Sequence, residues 1–143
     1  MNVLVDTSIW SLALRRKPAD LSRDESEVVA LLTAIIKEGR ARIIGPIRQE
    51  LLSGVKTESQ FNALRKALEP FADEPLLSDD YEDAARVYNA CRSRGLQAGP
   101  IDILICSMAG KRGWQVFSLD ANLIRCARAL KVASVENSGA RKE

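Results

Sequence analysis

The sequence predicts an α/β domain built on a small, mainly parallel sheet that is flanked by helices. Short apolar runs at 3–5, 42–44 and 114–119 predict strands, and helical patterns separate them. Such alternation of strands and helices is typical of a parallel sheet covered by helices. With 143 residues and no internal repeat, low-complexity tract or linker, the chain has the size of one domain. We expect the domain to span 1–135 and a polar, frayed tail to follow at 136–143.

Capping residues and helix breakers bound the elements of the N-terminal half. Ser22 and Glu25 form a capping box, and Gly39 ends the helix that they open. Pro46 suits the first turn of the next helix, which Gly54 stops. The predicted elements are a strand at 3–5, a helix at 7–14, a helix from the capping box to about 38, a strand at 42–44, a helix from 46 to about 52 and, after a second capping box at 57–60, a helix to about 68.

The C-terminal half is bounded in the same way. Asp79, with Glu82 three residues later, predicts the start of a helix that ends near Gly95. Gly99 and Pro100 start another helix. The predicted elements are an extended piece at 75–77, helices from 79 to about 95 and from 101 to about 111, a strand at 114–119, a helix from about 122 to 130 and a final strand at 131–135.

The composition restricts the chemistry that this chain can perform. It contains no histidine, which excludes Ser-His-Asp and Cys-His mechanisms and argues against a catalytic zinc site. Its three cysteines are an odd number without a C-x-x-C pair, which predicts reduced structural thiols. The net charge of +2 neither requires nor excludes nucleic acid. Because no apolar run approaches the roughly 18 residues of a membrane span and no signal peptide is evident, we expect a cytoplasmic protein without a membrane partner.

Two acids stand at the ends of predicted strands. Asp6 follows the first strand and Asp120 follows the strand at 114–119, and each immediately precedes a helix. The carboxyl ends of parallel strands meet at one sheet edge, where open α/β sheets bind their ligands. Each acid could instead simply cap the helix that follows, since Asp is a favoured N-cap. The pattern alone leaves both interpretations open.

Asp102 and Glu50 extend the set of candidate acids. Asp102 lies in an apolar helical segment in which Cys106 and Ala109 share its face, so the carboxylate has room beside it. A charge in so apolar a segment is costly unless it is paired or binds a cation, although an acid in a first helical turn is also favoured by the helix dipole. Glu50 taken alone most resembles a residue of a solvated helix face.

Considered together, the four acids predict a site for a hard divalent cation. Carboxylates packed together repel one another, so some stay protonated unless a multivalent cation holds them. Mg²⁺ and Mn²⁺ prefer such oxygen ligands, and a bound ion lowers the pKa of water and stabilises charge on a phosphate. This chemistry requires no histidine.

In these acids and the motifs around them, the chain resembles the PIN-domain family, and within it the VapC-type toxins of bacterial toxin–antitoxin pairs. The order and spacing of the acids and the total length all fit, over nearly the whole chain. The matching stretches are Val-Leu-Val-Asp-Thr-Ser-Ile-Trp at 3–10, Glu50, Gly-Pro-Ile-Asp-Ile-Leu-Ile at 99–105 and Val-Phe-Ser-Leu-Asp-Ala-Asn at 116–122. The resemblance implies a compact three-layer α/β/α sandwich and an endoribonuclease that depends on Mg²⁺, with Mn²⁺ as a substitute. It also implies a homodimer and a cognate antitoxin whose C-terminal segment covers the active groove.

The resemblance also implies roles for individual residues. Asp6, Glu50, Asp102 and Asp120 match the family's catalytic, metal-binding acids, and we take Asp6, Asp102 and Asp120 as the direct metal ligands. Ser8 matches a hydroxyl residue that supports the site by hydrogen bonding.

Asn122 and four basic residues complete the candidate site. Asn122 stands where many relatives carry a further acid, which leaves the site with one negative charge fewer, although Asn122 could still orient a bound water. The cluster Arg15-Arg16-Lys17 follows the first helix, and Arg48 precedes Glu50 by two residues, so these side chains could contact RNA phosphates. The alternative for the cluster is ordinary surface charge.

Three functions are compatible with these residues. The leading hypothesis is a toxin that cleaves RNA by water activated at a metal ion held by the acids. A housekeeping RNA-processing nuclease or a structure-specific DNA nuclease would use the same site. A non-catalytic PIN domain that binds RNA or a protein partner is the third, and Asn122 gives it slight support. The RNA target, the base preference, the number of metal ions and the identity and stoichiometry of the antitoxin are not encoded in these motifs.

Overall fold

Three short parallel strands form the centre of the fold. The computed structural model describes residues 1–136, so the predicted tail lies outside the described residues except for Glu136. The strands are β1 (Val3–Val5), β2 (Ala41–Arg42) and β3 (Gln115–Phe117), in the spatial order β2-β1-β3. Both pairings of β1 are parallel, as the alternation of strands and helices predicts.

Helices cover both faces of this sheet. Successive side chains of a strand point to opposite faces, and all three residues of β1 are 0% exposed. Both faces of the central strand are therefore covered, which confirms the predicted three-layer α/β/α architecture. The helices are α1 (Thr7–Leu14), α2 (Arg23–Lys37), α3 (Gly45–Leu52), α4 (Glu58–Leu68), α5 (Ser78–Ser93), α6 (Pro100–Arg112) and α7 (Ala121–Ala129), with a 3₁₀ turn at Pro18–Asp20.

The strands are shorter than the apolar runs predict. The strand predicted at 114–119 ends at Phe117, because the chain then turns into the N-cap of α7. The strand predicted at 42–44 is reduced to β2 and a single bridge from Ile43 to Asp73. The final strand predicted at 131–135 is reduced to one bridge between Ser134 and Val116. The extended piece predicted at 75–77 forms no strand.

One predicted helix cap is wrong. Helix α5 begins at Ser78, and the carboxylate that accepts a backbone N–H at its start belongs to Asp80, which lies 2.9 Å from the Leu77 nitrogen. Asp79, the predicted cap, is exposed. Asp80 is turned into the fold because it also binds Lys111 and Arg112 at the end of α6.

Cys91, Cys106 and Cys126 are buried free thiols. None of the helices within residues 1–136 is long and apolar enough to cross a membrane.

Replacing Ser22 with alanine should lower the free energy of unfolding by about 1 kcal/mol. The Ser22 hydroxyl accepts the Glu25 N–H at 3.1 Å, and the Glu25 carboxylate accepts the Ser22 N–H at 2.9 Å. Urea denaturation measures the change. Ser26→Ala removes a hydroxyl from an exposed position on the same helix and should change stability by only a few tenths of a kcal/mol. Equal effects of the two substitutions would show that the capping box does not stabilise α2.

Candidate active site

The site lies at the edge of the sheet where β1 and β3 both end. Val5 is aligned with Phe117 in the parallel ladder. The Asp6 N–H continues this ladder by donating to the Phe117 carbonyl oxygen at 2.9 Å. Asp6 and Ser118 are therefore held beside each other, which is the arrangement that parallel strands impose on the residues that follow them.

The Asp6 side chain is buried and held by several hydrogen bonds. Its Oδ2 accepts the Ser118 hydroxyl at 2.7 Å and the Ser8 hydroxyl at 2.9 Å, and the Ser8 N–H approaches it at 3.5 Å. Only 7% of the Asp6 surface is exposed, and these donors satisfy its buried oxygen in place of water. Asp6 is at the same time the N-cap of α1, so capping does not exclude a role in the site.

Asp120 is also an N-cap, and it is exposed. Its Oδ1 accepts the N–H groups of Asn122 at 2.8 Å and Leu123 at 3.3 Å, while its own N–H donates to the Ser118 hydroxyl at 2.9 Å. No hydrogen bond to Oδ2 occurs among residues 1–136. One oxygen of this carboxylate therefore caps α7 and the other is available to a ligand.

Asp102 links the four predicted acids electrostatically. It lies in the first turn of α6 and is half-buried. Burial, followed by the negative charges of Asp120, Asp6 and Glu50, raises the pKa of Asp102 to about 6. Glu50 contributes to this field from an exposed position on α3. The fold thus brings together four carboxylates that are far apart in the sequence.

The donor set fits a hard cation, but it is not a closed cage. Among residues 1–136, no three acidic or cysteine side chains converge closely enough to surround an ion. Mg²⁺ commonly keeps several water ligands and takes only one or two carboxylates from the protein, so an open arrangement of oxygen donors suits it. A cation bound between these carboxylates would favour the charged form of Asp102 and would lower its raised pKa.

A comparison with protein-family models decides the family. The PIN-domain model matches residues 3–129, which includes all four acids. The chain belongs to the PIN-domain family. No curated protein matches it significantly.

Several solved structures share the fold of this PIN domain. FitAcB from Neisseria gonorrhoeae superimposes with a TM-score of 0.72 at 23% identity, over 94% of this chain and 96% of that one. VapBC2 from Rickettsia felis, bound to a DNA fragment from its promoter, gives 0.66 at 14% identity, over 94% and 98%. VapBC-5 from Mycobacterium tuberculosis, a member of the VapBC family of toxin–antitoxin systems, gives 0.65 at 17% identity, over 95% and 99%. At these identities the likeness establishes the fold.

The sequence interpretation missed Ser118 in this PIN domain. Ser118 is 4% exposed and contacts both Asp6 and the backbone of Asp120. The available signal was its position two residues before Asp120, which mirrors that of Ser8 two residues after Asp6. The apolar pattern places Ser118 within the predicted strand at 114–119, whereas β3 ends at Phe117.

Asn122 stands at the exposed start of α7. Its N–H donates to Asp120, and its side-chain oxygen accepts from Arg125 at 3.1 Å. The Asn122 side chain is therefore engaged on the helix surface. Its predicted supporting role remains a prediction.

The predicted RNA-contacting residues differ in whether their side chains make hydrogen bonds within the fold. Arg15 and Lys17 are exposed, whereas the Arg16 guanidinium donates to Glu25 at 3.3 Å and to the Asp20 carbonyl oxygen at 3.0 Å. Arg15 and Lys17 are thus better placed than Arg16 to reach a phosphate.

Arg48 is engaged in contacts within the fold. Its Nε donates to Asp73 at 2.8 Å, and its terminal nitrogens donate to the carbonyl oxygens of Leu68 and Phe71. These bonds hold the segment after α4 against α3. They favour a structural role for Arg48 over the predicted phosphate contact.

Proposed function

We propose that this PIN domain is the toxin of a VapC-type toxin–antitoxin pair and acts as a metal-dependent endoribonuclease. The observation that carries the proposal is that the paired ends of β1 and β3 hold Asp6 and Asp120 at one sheet edge, near Asp102. Burial, and then the charges of Asp120, Asp6 and Glu50, raise the pKa of Asp102 accordingly. An acid kept in such a field is typical of a functional site. Charge repulsion of this kind disappears when a divalent cation binds between the carboxylates.

Asp6, Asp102 and Asp120 would hold Mg²⁺, or Mn²⁺ in its place, through their oxygens. When bound, such an ion lowers the pKa of water and stabilises negative charge on a phosphate. The serine hydroxyls fix the orientation of Asp6, and the start of α7 fixes Asp120. Both carboxylates are thereby oriented before substrate arrives.

Glu50 has a different role in the proposed reaction. Glu50 would accept a proton from the attacking water as the water oxygen bonds to phosphorus. The bond from phosphorus to the leaving sugar oxygen breaks in the same step, and that oxygen takes a proton from solvent. Arg15 and Lys17, which follow the C-terminal end of α1, would contact the RNA backbone.

The proposed partners are RNA, a cognate antitoxin whose C-terminal segment covers the active groove, and a second copy of the chain in a homodimer. Support comes from the fold shared with components of FitAcB and VapBC assemblies. The positive cluster at 15–17 and the four acids give such an antitoxin segment charges of both signs to bind.

The test is RNA cleavage by antitoxin-free protein across a panel of tRNA, rRNA and mRNA. We expect cleavage with Mg²⁺ or Mn²⁺, none in EDTA and none with Asp6→Asn. Asp20→Asn changes an exposed acid outside the site and should retain activity. Cleavage that persists in EDTA or in Asp6→Asn would refute the metal-dependent mechanism.

Two further measurements separate this function from its rivals. Growth arrest on expression, relieved by a small co-encoded protein, distinguishes a toxin from a housekeeping nuclease. A non-catalytic binding domain is the other rival, and Asn122, which stands where many relatives carry an acid, gives it slight support. That domain would bind RNA without cutting it and would show no tight Mn²⁺ binding.

A further inference from the structure

The Ser118 hydroxyl connects two of the candidate acids. Its Oγ lies 2.7 Å from Asp6 Oδ2 and 2.9 Å from the Asp120 nitrogen. A serine hydroxyl has one proton to donate, and the Asp120 N–H can only donate. The Ser118 proton is therefore directed at Asp6, and the hydroxyl oxygen accepts from Asp120.

Ser8, in the first turn of α1, has the same bonding pattern. Its hydroxyl lies 2.9 Å from Asp6 Oδ2 and 2.9 Å from the Leu119 nitrogen. Because both hydroxyl protons are used on Asp6, the 3.4 Å separation of the two hydroxyl oxygens is a contact and not a hydrogen bond. Two parallel chains of bonds thus run from the backbone at 119–120 through a serine to one carboxylate oxygen.

The two carboxylate oxygens of Asp6 differ in their hydrogen-bond partners. Oδ2 receives both hydroxyls, while Oδ1 has no hydrogen-bond donor among residues 1–136. The side chain cannot rotate without breaking two bonds in a buried setting, where each is costly to lose. Since the same bonds join the ends of β1 and β3, they also set the position of Asp6 relative to Asp120.

We propose that Ser118 is a positioning residue that acts jointly with Ser8 to hold Asp6, so that Oδ1 remains available to the divalent cation. The proposal rests on the metal site of the proposed function. It assigns a role to a serine outside the set of acids, and it makes the two serines energetically coupled because they serve the same oxygen.

The first experiment measures Mn²⁺ affinity by calorimetry in the absence of RNA. Ser118→Ala should weaken Mn²⁺ binding roughly 10- to 100-fold, as expected when a group that orients a ligand is removed. Ser8→Ala should do likewise, and the double variant should lose less than the product of the two single losses. Ser118→Thr keeps a hydroxyl at this position, so it should retain most of the Mn²⁺ affinity. Ser93→Ala removes a hydroxyl that bonds only the Ala90 carbonyl oxygen, and it should bind Mn²⁺ as the unaltered protein does.

The second experiment observes Asp6 directly, with neither metal nor RNA. The carboxyl carbon resonance of Asp6 in the ¹³C NMR spectrum should shift in Ser118→Ala and in Ser8→Ala, but not in Ser93→Ala. If Ser118→Ala does not fold, Ser118→Cys keeps the side-chain volume with a much weaker donor and should produce the same changes. In cleavage assays at saturating Mn²⁺, the KM for RNA should stay near that of the unaltered protein, while kcat falls.

The outcomes distinguish the two proposals. A folded Ser118→Ala protein with unchanged Mn²⁺ affinity and an unchanged Asp6 resonance would overturn the positioning role. If the loss of Mn²⁺ affinity in the double variant equalled the product of the two single losses, the joint action of the serines on one oxygen would be overturned. If the Asp6 resonance responds but the unaltered protein neither binds Mn²⁺ nor cuts RNA, the proposed function fails while the orientation of Asp6 by Ser118 is supported.

Discussion

Asp102→Asn should abolish RNA cleavage and at the same time stabilise the free protein. Removal of a direct metal ligand should lower the cleavage rate by more than roughly 100-fold, the upper range for groups that only orient ligands. Stability should rise at pH 8 because the substitution removes a charge disfavoured by burial and by three neighbouring acids. With allowance for solvent screening, we expect a gain on the order of 1 kcal/mol.

The stability gain should depend on pH with a defined sign. The pKa of Asp102 is about 6 in the fold against an ordinary value of 3.8. The folded state therefore binds more protons than the unfolded state between these values, and stability falls as pH rises through this window. The gain from Asp102→Asn should be complete above pH 6 and vanish below about pH 4. Urea denaturation at pH 8 and pH 4 measures it.

Asp79→Asn provides the matched control. It makes the same chemical change at an exposed position on α5, and it should leave cleavage unchanged and stability nearly so. If Asp102→Asn left cleavage intact, Asp102 would not be a metal ligand. If it destabilised the protein at pH 8, the carboxylate would make favourable contacts within the fold that outweigh the repulsion.

Three of the four acids could be predicted from the sequence because each of them has a local signature. Asp6 ends a buried run, and Asp102 stands in an apolar helical segment. Glu50 has no such signature, since an exposed acid on a helix is ordinary. Its place in the set rests on the resemblance to the PIN-domain family, and the effect of its charge on Asp102 depends on the packed positions of α3 and α6.

Contacts that depend on tertiary register could not be predicted. The hydroxyl of Ser118 meets Asp6 because β1 and β3 pair with Val5 beside Phe117, and 112 positions separate the two residues in the sequence. Arg48 similarly binds the segment that ends at Asp73, 25 positions later. Local patterns record which side chains are charged, but the partners of those charges are fixed only when the elements pack.

Asp80→Ala should produce the largest loss of stability of any substitution considered for this protein, about 2–3 kcal/mol. Asp80 is 4% exposed, and its carboxylate binds Lys111 at 3.0 Å, Arg112 at 3.0 Å and the Leu77 N–H at 2.9 Å. The loss should fall short of the value for a fully buried pair because Lys111 and Arg112 are partly exposed and regain water. Asp83→Ala is the matched control, since this partly exposed acid also binds Lys111, and the substitution should cost less than about 1 kcal/mol.

The loss of stability caused by Asp80→Ala should become smaller at acidic pH, and the substitution should leave the active site unchanged. The Arg112 guanidinium, with the Leu77 N–H and the Lys111 ammonium, holds the pKa of Asp80 well below its usual range. Its stabilising contribution is therefore present above about pH 4, the ordinary pKa range of an aspartate, and is lost as pH falls further. Asp102 lies ten residues from Arg112 on the same helix, about 15 Å along its axis. RNA cleavage per folded molecule should consequently persist in Asp80→Ala. This substitution is thus expected to lower stability and keep cleavage, whereas Asp102→Asn is expected to raise stability and abolish cleavage. Loss of cleavage in a folded Asp80→Ala protein would show that the α5–α6 contact also sets the geometry of the acids.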